Sequence, residues 1–151
     1  MSGAAPHPRQ APIASWVGQM VGTLVLAGVV YAFIKATGAG VAAPDAASGL
    51  QRYALWIILL AAAPALYYLR AFKRSLIADE EAVAARGGVP EPVARKALMK
   101  RLAIGGALCE LPMAFGVLNL FLGGRTGTFV GATVITIVIR LSYRPFTRAR
   151  R

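Results

Sequence analysis

The sequence predicts an all-α polytopic membrane protein with four transmembrane helices and a helical cytoplasmic hairpin between the second and third. Three observations carry this expectation. Of the 151 residues, 57% are apolar and 15% charged, with a mean hydropathy of +0.59, which leaves too few polar side chains to cover a water-soluble domain of this size. Four apolar runs approach the roughly 20 residues that a helix needs to cross a bilayer core. The 17 Lys and Arg residues are divided unevenly among the segments between those runs. One cysteine, Cys109, excludes a disulfide scaffold, and the hydrophobicity excludes a disordered chain.

The first span covers about 13–34 and carries no charge. Arg9 before it and the small residues of 38–43 after it are the flanks of a secretory signal. Its length exceeds the roughly 15 residues of a signal's apolar region, and Lys35 separates it from any cleavage site, so a retained helix is predicted. The second span, about 51–69, has an uncharged stretch between Arg52 and Arg70. The third, about 102–123, is interrupted only by Glu110. The fourth, about 126–143, is short: it borrows Arg140 to Tyr143, with the arginine snorkelling to the headgroups. Residues 133–139 would read as a buried strand in a soluble protein, and the neighbouring spans decide for a helix.

Cytoplasmic segments carry the excess of Lys and Arg. Arg9, the eight basic residues of 70–101, and Arg140, Arg144, Arg148, Arg150 and Arg151 fall on one side, against Lys35, Arg52 and Arg125 on the other. Both termini and the middle segment are therefore expected in the cytoplasm of a bacterium, with the chain in its inner membrane. The net charge of +11 follows from this asymmetry, so no nucleic-acid partner is expected. Within 70–101 the helical signal runs on to Arg86 and stops at Gly87 and Gly88, where a left-handed cap costs little. Pro90 lies in the turn and Pro92 suits the first position of the next helix. Antiparallel arms would bring Asp79, Glu80 and Glu81 near Arg95 and Lys96. They would also gather Lys73, Arg74, Lys100 and Arg101 at the membrane surface, where anionic lipid offers about 1 kcal/mol per basic residue. Arg144 and Arg148 in the tail are expected to contact the same headgroups.

Glu110 is the one acidic residue inside a span. A charge at a helix centre costs on the order of 2.5 to 3.5 kcal/mol on insertion scales, so such a residue is neutral, paired or functional. It stands about 12 Å below the cytoplasmic surface, at 1.5 Å per residue. Ala103, Gly106, Ala107, Ala114 and Val117 surround it, a face small enough for close helix approach. Pro112 removes a helical hydrogen bond beside it. Two chemistries stay open. A neutral carboxyl hydrogen-bonded to Gln19 or Thr133 would exchange a proton or cation, whereas one neutralised by Arg140 would be a structural pair.

The run KRLAIGGALCELPMAFGVLNLFL at 100–122 resembles the carboxylate-bearing helix of the rotary ATP synthase proteolipid, subunit c. Basic residues lead into a small apolar helix, an acid follows about ten residues later, and proline and glycine come after it. The resemblance covers 23 of 151 residues. It implies that Glu110 matches an ion-carrying carboxylate.

The remaining signals are structural in character. Ala14, Gly18 and Gly22, and likewise Gly123, Gly127 and Gly131, form small-residue stripes expected to pack within the subunit. Trp16, Tyr67, Tyr68 and Tyr143 lie near span ends, as interfacial anchors do. Cys109 reads as a buried small hydrophobe, and His7 has no ligand cluster around it. No metal spacing, phosphate loop or catalytic triad is visible. The expected function is non-enzymatic and needs no cofactor. It is assembly or interaction in the bilayer, as a homo-oligomer or in a larger complex, with ion translocation through Glu110 as the alternative. Reporter fusions at Asp45 and Gly88 should place the first outside and the second inside; both on one side would remove the second span.

Overall fold

A computed structural model describes residues 10–38 and 48–145. These form five helices: α1 (Gln10–Thr37), α2 (Ser48–Ala85), α3 (Pro92–Cys109), α4 (Leu111–Phe121) and α5 (Thr126–Ser142). There is no strand among the described residues, so the β-branched run 133–139 is helical. Gln10–Thr37, Tyr53–Ala85 and Pro92–Phe121 are each long and apolar enough to cross a membrane, and Thr126–Ser142 is a shorter apolar helix.

α2 runs without interruption through the second apolar run and on to Ala85, even with Pro64 inside it. It ends where Gly87 and Gly88 take φ of 62° and 97°, a left-handed backbone that a side chain would oppose. The Gly88 amide reaches back to the Val83 carbonyl at 2.9 Å, closing the last turn in the manner of a Schellman cap. α3 then opens on Pro92, where a missing amide costs nothing. The two arms lie side by side. Asp79, 4% exposed, receives two bonds from Arg95, Nε to Oδ1 and Nη2 to Oδ2, each 3.0 Å. Of the wider acidic and basic set expected to meet there, Glu81 and Lys96 are exposed instead.

The third apolar run is not one helix. It breaks at Glu110, because Pro112 has no amide to donate and the Met113 amide turns to Thr136 Oγ1 at 3.2 Å. The Glu110 amide tightens onto Ala107 O at 3.1 Å, and Ala114 N resumes the ladder on Glu110 O at 2.9 Å. α2 packs on α3, α4 and α5; α4 and α5 pack together; α1 leans on α3 and α5. One buried cluster joins Ala62, Ala65, Phe72, Leu76, Leu98, Leu102, Cys109, Ile139 and Tyr143 towards the hairpin. A second joins Ile34, Met113, Leu120 and Phe129 at the other end.

Small residues govern how close the helices come, but not those of the expected stripes. Gly105 lies under the Tyr143 ring and Gly116 against Ala132, whereas Gly18, Gly22, Gly127 and Gly131 have nothing within 4 Å. The stripes face outward because the bundle is held through other faces of α1 and α5. Tyr143 likewise departs from the interfacial role expected of it. It is 1% exposed, its ring lies 5.1 Å from that of Phe72, and its hydroxyl donates to Ala65 O. Tyr67, by contrast, is 82% exposed. Gly105→Ala should push the Tyr143 ring out of its seat and lower stability by about 1 to 3 kcal/mol, the usual cost of overpacking. Gly18→Ala should be at least as stable as the parent, and thermal melts in detergent would compare them.

Candidate functional site

Glu110 sits at the break between α3 and α4, eight residues past Leu102 and so about 12 Å along the rod at 1.5 Å per residue. The position is electrostatically demanding. The last carbonyls of α3 already carry partial negative charge, and the carboxylate adds a full one. Arg140, in the last turn of α5 and 3% exposed, answers both. Its Nη2 lies 2.6 Å from Glu110 Oε1 and donates to Gly106 O at 2.8 Å. The guanidinium therefore turns into the bundle and does not snorkel outward. A guanidinium tethered to α5 thus occupies the C-terminal end of α3.

α1 reaches the same point. Thr23, 2% exposed, donates its hydroxyl to Glu110 Oε1 at 2.6 Å and also lies 3.0 Å from Gln19 O. Trp16 Nε1 donates to the Arg140 carbonyl at 3.1 Å. Gln19 lies one turn before Thr23, with its side-chain amide against Gly106, where a Cβ would overlap Oε1. Trp16, Gln19 and Thr23 are three and four residues apart and so share one helix face.

The pair is geometrically incomplete. Glu110 Oε1 takes both bonds, while Glu110 Oε2 and Arg140 Nε are buried without a hydrogen-bond partner among the described residues. Asp79 and Arg95 make the opposite arrangement, a planar fork that uses both oxygens.

Of the residues expected around Glu110, Arg140 is its partner. Gln19 is adjacent but spends its contact on Gly106. Thr133 is not brought to the carboxylate: its hydroxyl donates to Phe129 O at 3.0 Å, inside its own helix. Depth along the span suggested Thr133, but rotation about α5 decides, and Thr136 is the threonine that faces α4. Thr23 escaped the sequence reading. Its signal was available, since it follows Gln19 by one turn on the face that also holds Trp16. Cys109 is fully buried beside the pair.

The basic set at the hairpin base divides. Lys73, Arg74, Lys100 and Arg144 are exposed. Arg101 instead turns inward and donates to Ala71 O at 2.8 Å, tying α3 to α2, because a half-buried guanidinium finds a carbonyl on the neighbouring arm sooner than a headgroup. Arg148, His7 and Asp45 lie outside the described residues. No group of three His, Cys, Asp or Glu side chains gathers among the described residues. A cavity of about 240 Å³ lies where Pro12 of α1 and Pro145 meet the hairpin arms at Leu76, Asp79, Arg95 and Leu98, residues separate from the Glu110 cluster.

Compared with known protein families, curated proteins and solved structures, the chain matches none.

Removing one partner of a buried ion pair strands the other charge, typically at about 3 to 5 kcal/mol. The Glu110 side chain is 32% exposed, which argues for the lower end. Glu110→Gln and Arg140→Gln should therefore each cost about 3 kcal/mol, and the double variant should recover most of the loss, as read from thermal melts in detergent. A Glu110→Gln protein as stable as its parent would show that the pair does not hold the bundle.

Proposed function

We propose that this chain is a small integral protein of the bacterial inner membrane, working by assembly or interaction, in which Glu110 is a structural residue of a four-helix bundle. All four rods cross the bilayer in this reading, with the termini and the hairpin in the cytoplasm. α5 is the shortest at 17 residues, about 26 Å at 1.5 Å per residue. That falls a few Å short of a 30 Å hydrocarbon core, a mismatch that local thinning of the bilayer accommodates.

The observation that carries the reading is the 2.6 Å contact between Arg140 and Glu110. A carboxylate that loads and unloads an ion must be free to lose its partner. Here the counter-ion is a guanidinium tethered to the next helix, 3% exposed and unable to deprotonate in a protein. The pair joins α3 to α5, and Thr23 brings in α1, so one charged residue serves three helices. The alternative, a proteolipid-like ion-translocating subunit, draws support from the motif at 100–122 and requires Glu110 to exist protonated.

Dicyclohexylcarbodiimide distinguishes these, because it modifies protonated carboxyls in lipid. The purified protein in vesicles should resist labelling at Glu110 and should conduct no protons above the lipid background. Labelling at Glu110 together with proton flux that Glu110→Gln abolishes would overturn the structural reading in favour of the carrier.

A further inference from the structure

α1 is the least embedded helix. Of its 28 residues, Pro12, Thr23 and Ile34 are the buried ones, and 11% of its most apolar window is covered, against 39% for Pro92–Phe121. A side-chain carbon at Gly18, Gly22 or Gly28 would meet no other helix within 4 Å. Its apolar attachments are Ile34, with Ala27 and Val30, on the cluster of Met113, Leu120 and Phe129, Trp16 against the cluster around Tyr143, and the Phe33 ring 6.1 Å from that of Phe121. In a bilayer these hold only weakly, since lipid tails are as apolar as the helices they would replace. Three polar attachments are Trp16 on the Arg140 carbonyl, Gln19 on Gly106 and Thr23 on Glu110. Two of the three fall on the residues of the ion pair.

Each partner of that pair keeps one unused polar atom. Glu110 Oε2 and Arg140 Nε are both buried and unused, while Oε1 is shared between Arg140 Nη2 and Thr23 Oγ1. Asp79 and Arg95 display the alternative, two parallel bonds that use Nε and Nη2 together, the stronger and more directional form of such a pair. Turning the Glu110 carboxylate to make that fork withdraws Oε1 from Thr23. One bond from α1 is then exchanged for one within the pair, so the departure of α1 strands no charge.

We infer that α1 is a releasable helix, latched to the bundle by the Thr23 hydroxyl on Glu110, and that the Glu110–Arg140 pair closes into a two-bond fork when α1 leaves. The inference rests on Glu110 being a structural residue, as proposed above. Release uncovers Gly106 and the Glu110 side of α3.

The test uses the full chain in lipid nanodiscs, in a Cys109→Ala background, with spin labels on α1 and near the start of α5 at Ala36→Cys and Arg125→Cys. A control pair, Tyr53→Cys with Arg125→Cys, reports on the remaining bundle; all three positions are exposed. The parent should give one distance for each pair. Thr23→Val should add a population in the α1 pair longer by about 10 Å, one helix diameter, and leave the control unchanged; Thr23→Ser should restore the parent distribution. An α1 distance unchanged in Thr23→Val would overturn the latch, because α1 would then be held without the Thr23 hydroxyl. Broadening of the control pair along with the α1 pair would overturn it too, because α1 would then be part of an indivisible core. Thr23→Val leaves the ion pair intact, so either failure leaves the structural reading of Glu110 to its own carbodiimide test.

Discussion

A carboxylate inside an apolar bundle has to be neutralised, and in this chain that requirement sets how the helices meet. Glu110 stands where α3 ends, so its own charge adds to the partial charge of the last carbonyls. Arg140 is the cation that answers it, and bringing Arg140 there fixes the rotation of α5. With Arg140 facing Gly106 and Glu110, the residues one turn before and after it face the same way. Thr136 then meets the Met113 amide, and Tyr143 lies on Gly105 with its hydroxyl on Ala65 O. Ala132 and Phe129, one and two turns further back, pack against Gly116.

The break in the third rod belongs to the same solution. Pro112 removes one donor and displaces another, and the displaced Met113 amide is satisfied by a threonine from α5 instead of by its own helix. Discontinuous helices beside charged groups recur in transporters, where the helix ends bind ions. Here the Arg140 guanidinium lies beside the carboxyl at the helix end.

α2 is the spine against which this is built. Small residues at Ala61, Ala62 and Ala65 let the other helices approach, and past Phe72 the helix continues into the hairpin, where Asp79 and Arg95 form a more complete ion pair than Glu110 and Arg140 do. The contrast between the pairs is informative. The hairpin pair satisfies both oxygens and involves two helices. The pair at the break leaves an atom of each partner unused and shares one oxygen with a third helix, so the bundle has traded completeness for a connection to α1.

The amino-acid sequence by itself determined the helical class, the approximate extents of the apolar runs, the glycine stop after α2, the proline start of α3 and the strain on Glu110. Each of these depends on local chemistry: hydropathy over a window, a positive φ that suits glycine, a missing amide, a charge among apolar neighbours. Arg140 was legible as one partner among several, because only its presence near the span end could be read. What the tertiary structure decided was rotation and lateral choice. Thr23 over Thr133, Thr136 as acceptor for a freed amide, Tyr143 in the core and the glycine stripes facing outward all depend on the angle at which each helix meets its neighbours. Position along a helix is written in residue number, at a fixed rise per residue, whereas the facing of two helices emerges only when every side chain between them has found room.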